Sequence, residues 1–269
     1  TEIGPHPDVA LVGITKDSIE KTMLEKFENE SPAIKLMIKS GFPYSRDTYA
    51  YVLDRLFELG AKTVVMDILF KFEKDEDKVF AEALERHKGK VVLACTKVLS
   101  ESDTSGGSTG RSGKMIVPNE LLTKAVNGLE GIGYAYFQPD EDLVVRRLDL
   151  RTSQMKESGY PGLSTADDLV RFSPLGVAKF RGQEPGNGSM LINYRGPMGT
   201  QHVYPIEEIF VDKLVYGSDP FYKNGTAFKD KLVFIGPIAE IFHDSHNTPL
   251  GYMPGVEIHA QLAGALLDN

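Results

Sequence analysis

The residues with the widest chemical range gather near the carboxyl end, in His243-Asp244-Ser245-His246-Asn247-Thr248-Pro249. Imidazole and carboxylate groups this close together can bind a metal, shuttle a proton or grip a polar ligand. A long loop must also satisfy its own backbone, and Asp and His side chains serve that need. Three roles stay open for the run: loop structure first, contact with a polar ligand or partner second, and a metal last. His259 follows in Gly255-Val256-Glu257-Ile258-His259-Ala260. At a helix N-terminus it could add a donor for an anion. A histidine among apolar residues is more commonly a satisfied core residue, and that is the expectation here.

Asp67 sits near the end of the apolar run Val64-Val65-Met66-Asp67-Ile68-Leu69-Phe70. An unpaired carboxylate there is costly, so it needs a partner. Arg146 is the expected one, because it shares the alternation phase of Val144, Leu148 and Leu150. Such a pair is structural more often than ligand-binding.

Other strings carry no chemistry. Gly106-Gly107-Ser108-Thr109-Gly110 matches G-x-S-x-G, but that nucleophile needs a strand-to-helix elbow, and here it lies in a Ser/Gly-rich stretch. Walker A, G-x-G-x-x-G and H-E-x-x-H strings are missing. The single cysteine, Cys95, rules out an intramolecular disulfide and a Cys-based zinc site. Asn187-Gly188-Ser189 and Asn224-Gly225-Thr226 read first as turns. No catalytic residue, metal or cofactor is assigned. A formal net charge of -8 disfavours phosphate backbones, so no nucleic-acid partner is expected. No run reaches the roughly 18–20 apolar residues of a membrane span.

These groups need a scaffold, and the hydrophobic pattern supplies one. Residues 8–15, 61–70, 91–98 and 231–236 are nearly continuous apolar runs of strand length, as strands covered on both faces should be. Between them, Tyr49, Val52, Leu53, Leu56 and Phe57 give residues 46–59 one apolar helical face. Ser45 can cap that helix and Gly60 can end it. Residues 77–87 form a second amphipathic helix through Val79, Phe80, Ala83 and Leu84. Asp17, with Glu20 three residues on, marks an earlier helix start. Strand–helix–strand alternation at this spacing predicts parallel pairing with right-handed crossovers. Residues 133–137 and 143–150 read as a hairpin-like pair around an acidic turn, which would make the sheet mixed. Ser173-Pro174 starts a helix with Pro first, and residues 254–267 form the closing helix. Residues 100–114 are a flexible surface loop, and residues 155–168 are poorly patterned. The predicted fold is α/β: a single domain with a mixed, largely parallel central sheet flanked by helices, a three-layer sandwich.

These pieces resemble the second class of CHASE (cyclases/histidine kinases associated sensory extracellular) domains. The resemblance is carried by Gly41-Phe42-Pro43-Tyr44-Ser45-Arg46, the run from Leu59 through Phe70, and Asp140-Glu141-Asp142-Leu143-Val144-Val145-Arg146-Arg147, where the family usually has Gly in place of Leu143. Ile192-Asn193-Tyr194-Arg195-Gly196-Pro197, the run Lys231-Leu232-Val233-Phe234-Ile235-Gly236, and Asp244, His246, Thr248-Pro249 and Pro254 through Ala260 follow in order. The resemblance implies an extracytoplasmic sensory domain, held to the membrane by helices outside this chain. The same resemblance implies an unknown small-molecule or protein stimulus, a homodimeric parent, and a nucleotide cyclase or a histidine or Ser/Thr kinase output. It makes Asp67, Arg146, Asn193, Arg195, Asp244, His246 and His259 candidates for ligand binding or structure, and residues 260–267 the helix that passes a shift onward. Two other readings stay open at this point: a periplasmic hydrolase using Asp244, His246 or His259, and a free solute-binding protein.

Overall fold

The computed structural model describes residues 3–99, 113–152 and 169–269. The Ser/Gly-rich stretch lies outside the described residues up to its last two positions, as does the poorly patterned stretch 155–168. In chain order, β1 (Val9–Ile14) leads through the short helices α1 (Lys16–Ile19) and α2 (Lys21–Leu24) to α3 (Pro32–Ser40) and α4 (Arg46–Glu58). Then come β2 (Thr63–Met66), α5 (Asp77–Arg86), β3 (Val91–Leu99), β4 (Gly113–Ile116), α6 (Glu120–Ala125) and β5 (Ile132–Tyr134). Three small strands follow, β6 (Arg147–Asp149), β7 (Arg151–Thr152) and β8 (Leu169–Val170), before α7 (Phe172–Arg181) and β9 (Ser189–Leu191). After β10 (Val203–Pro205) and α8 (Asp212–Val215) come β11 (Leu232–Pro237), β12 (Ser245–Thr248), β13 (Gly251–Pro254) and α9 (Gly255–Leu267).

All six residues of β1 are buried, and alternation divides them between two cores. Ala10, Val12 and Ile14 face α4 and α5, alongside Val64, Met66, Leu93, Val233 and Ile235. Val9 and Leu11 face α7 and α9, alongside Val65, Val92, Leu232 and Phe234. The sheet order is β10-β1-β11-β2-β3-β4, with β5 also pairing β3. Pairing is parallel throughout except between β3 and β4. The result is an α/β three-layer sandwich with a mixed, largely parallel sheet between two helical layers.

The sheet is mixed, but not through the expected hairpin. β5 runs parallel to β3, and β6 pairs antiparallel with β9 in a separate two-stranded sheet. The divergence starts at Leu143, whose φ of +63° closes the acidic turn; Val144 then bridges to Asn247. Several local expectations shift in the same way. Thr15, not Asp17, caps α1, exchanging hydrogen bonds with Ser18 in a capping box. Helix α4 ends before Gly60, whose φ is +88°, but Ser45 gives no side-chain cap and instead meets Thr48 Oγ1 at 3.1 Å. In α5, Val79 is 46% exposed, while Ala81 joins the buried face. β2 stops at Met66, so residues 67–70 are free of the ladder except for the Asp67 N–H, which donates to the Ile235 carbonyl at 2.7 Å. Pro174 is the third residue of α7 rather than the first.

Candidate functional site

Parallel pairing puts the carboxyl ends of β1, β11, β2, β3 and β5 at one edge of the sheet, where open α/β folds leave a crevice. Ile14, Pro237, Asp67 and Ala135, at or just past the ends of β1, β11, β2 and β5, and Thr96 within β3 line a cavity of about 440 Å³ there. Its remaining walls come from the turn before α4 (Phe42, Pro43), from Arg46 and Tyr49 on α4, and from Tyr136 and Phe137 beyond β5. Asp244 and His246 enter from the β12 strand and its approach, and Gly255 and His259 from the first turns of α9. The long loop expected after β11 is largely the hairpin β12–β13, in which His246 pairs with Met253.

Asp67 and Asp244 set the electrostatics of this cavity. Asp67 is half-buried, and low solvation holds its carboxyl well above the usual carboxylate range, with the Asp244 charge adding to the shift. The Asp244 carboxylate lies against Gly255, where a Cβ would sit 2.8 Å from Oδ2. His246 Nε2 is 3.4 Å from Asp244 Oδ1, and its ring meets Phe137 edge-on at 5.3 Å.

His259 is the satisfied core histidine that the sequence suggests, and it also forms part of the cavity wall. Its Nε2–H donates to the Ala135 carbonyl at 3.1 Å, which leaves Nδ1 to accept from the Ser173 hydroxyl at 2.8 Å. The ring stacks on Phe137 with centroids 4.3 Å apart. Burial drives its pKa down to about 3, against the opposing pull of Asp244, so the imidazole is neutral.

Arg46 is the cavity residue that the sequence reading passed over. Its Nε donates to Asp77 Oδ1 at 2.9 Å, its Nη2 to the Phe72 carbonyl at 3.1 Å, and its guanidinium lies over the Phe70 ring. Asp77 also accepts from Asn119 Nδ2 and the Lys74 N–H, each at 2.8 Å. A signal was present: a cation in the first turn of a helix opposes the dipole, so it calls for an acid from elsewhere in the fold.

The expected Asp67–Arg146 pair does not form. Arg146 is taken by two acids of its own turn, with Nη1 3.1 Å from Asp140 and Nη2 2.6 Å from Asp142. Alternation misplaced Arg146 because β6 covers only Arg147–Asp149: Val144 sits in an isolated bridge to Asn247, and Val145 is buried while Val144 is only half-buried. Asn193 is exposed beyond β9 and does not line the cavity. Arg195 is buried away from the cavity, where it donates to the Gly4 carbonyl and pairs with Asp268 beyond the end of α9. Four of the seven candidates, Asp67, Asp244, His246 and His259, therefore share one site.

Among the described residues, no group of three or more His, Cys, Asp and Glu side chains is arranged to hold a metal ion, and no helix is long and apolar enough to cross a membrane. A family model described as the CHASE2 domain matches residues 1–269. No curated protein and no solved structure matches the chain.

Proposed function

The chain belongs to the CHASE2 domain family, a family of extracellular sensory domains in signalling receptors, and we propose that its cavity receives the stimulus and that α9 carries the response. On this reading residues 1–269 act as one extracytoplasmic sensory unit. Membrane helices outside this chain hold it, and the output is a nucleotide cyclase or a kinase. A homodimeric parent lets one α9 be read against its counterpart.

The observation that carries the reading is the placement of α9. Gly255 and His259, in its first two turns, form cavity wall, while Asp268 beyond its last turn is held by Arg195. A helix of 13 residues spans about 20 Å, so a rigid element joins the cavity to the far side of the domain. Residues 255–265 are all buried, so occupancy that moves the first turn must repack the helix as a unit. Two arrangements of α9, biased by a ligand with different affinity for each, would be the switch.

A reversible crosslink tests this. An ideal Cβ at Gly264 lies 2.9 Å from His6 Cβ, so paired cysteines there need a shift of under about 1 Å to reach disulfide geometry. Cys95 is buried and does not compete. In the full-length receptor, oxidising H6C/G264C should abolish the response and reduction should restore it. A response equally strong in the oxidised receptor rules the relay out.

A further inference from the structure

We infer that the cavity takes a small organic cation with an apolar body, such as an ammonium carried on an aryl or alkyl group. This rests on the reading of the cavity as the sensory site, and it specifies the ligand class.

Charge is the first argument. Asp67 and Asp244 both face the cavity, and among the described residues neither is paired with Lys or Arg; Asp244 has His246 alone. Enclosure and the Asp244 charge both disfavour the ionised form of Asp67, and a cation in the cavity offsets both. The cation that could serve an anion is already paired. Among the described residues Arg46 is the single guanidinium on the cavity wall, and its charge is balanced by Asp77, with Nε on that carboxylate and Nη2 on the Phe72 carbonyl. His259 is neutral, with its N–H on Ala135.

The walls are the second argument. Phe42 and Phe242, whose centroids lie 4.9 Å apart, and Phe137 present aromatic rings, and Ile14 and Ile68 add aliphatic surface. Ring faces attract organic cations, and apolar walls reward an apolar body. A divalent metal suits the site poorly, because it requires a cage of four or more donors.

Calorimetric titration of the chain decides between these classes. The probes are 2-phenylethylammonium, cyclohexylammonium and choline, with 2-phenylethanol and 3-phenylpropanoate as neutral and anionic analogues of the first. At least one ammonium should bind tighter than the alcohol by about tenfold or more, and the carboxylate weakest of all. Asp67→Asn and Asp244→Asn should each weaken the ammonium by about tenfold and leave the alcohol unchanged. Asp244 is 39% exposed, so D244N carries the test even where D67N fails to fold. No binding by any of the three ammoniums, equal binding of alcohol and ammonium, or tightest binding of the carboxylate overturns the inference. Binding of calcium or zinc alone, lost in the same two variants, also overturns it. Leu69→Trp, at the exposed rim, separates this failure from that of the sensory reading. A full-length receptor that still responds with the rim filled refutes the cavity as the sensory site. A silenced receptor whose domain ignores ammoniums refutes the ligand class alone.

Discussion

Ser173 and His259, 86 positions apart in the chain, meet in a 2.8 Å hydrogen bond that ties the first turn of α7 to the second turn of α9. The bond is fully buried, and it satisfies the ring nitrogen that is left as an acceptor when Nε2–H donates to the Ala135 carbonyl. Removing the hydroxyl strands Nδ1 as an acceptor without water. Ser173→Ala should therefore lower stability by about 1–3 kcal/mol, measured by urea denaturation. A change near zero would mean that another donor takes over at Nδ1.

The same histidine makes stability depend on pH. Its pKa is near 6.5 in the unfolded chain and about 3 in the folded one. Above pH 6.5 both states are neutral and the stabilisation is complete. As pH falls below 6.5 the unfolded state takes up a proton that the folded state refuses. The contribution is thus lost progressively towards pH 3, at about 1.4 kcal/mol per pH unit. Between pH 6 and pH 4 the wild type should lose stability more steeply than His259→Asn by about that slope. Parallel curves for the two proteins would contradict the assignment.

Arg46 and Asp77 are both buried, joined at 2.9 Å. Removal of the cation leaves an uncompensated interior charge. Arg46→Met should cost about 3–5 kcal/mol in thermal or chemical denaturation. Adding Asp77→Asn should recover part of that loss, because the amide carries no charge and still accepts from Asn119 and Lys74. A double variant no more stable than R46M would show that the charge is not what makes the single change costly.

Leu143 adopts φ +63° at the tip of the acidic turn and is 68% exposed. A β-carbon is strained in that conformation, and so exposed a side chain gives little packing in return. Leu143→Gly should raise stability by up to about 1 kcal/mol, after allowing for glycine's looser unfolded state. A drop in melting temperature would mean that Leu143 packs in a way its exposure hides. The strain also explains why glycine suits this position.

Sequence reading worked best where burial is two-sided or strictly periodic. The apolar runs of β1, β3 and β11 and the face of α4 announce themselves, since water must be excluded at every such position whatever the partner. It worked less well at Asp17, Ser45 and Val79, where several side chains satisfy the local rule and packing selects among them. Within the site, proximity in sequence brought Asp244 and His246 together correctly. Asp67 was singled out because a carboxylate at the end of a buried strand is costly, although its neighbour proved to be Asp244.

The amino-acid order alone determined the layered α/β architecture and the edge at which polar groups collect, because hydrophobic periodicity and strand direction are local properties. Only the tertiary structure decided which charges meet. Asp67 shares its cavity with Asp244, Arg46 takes Asp77 and Arg146 pairs with Asp140 and Asp142 close by in the chain, since electrostatic partnership depends on distances in the fold that spacing along the chain does not encode.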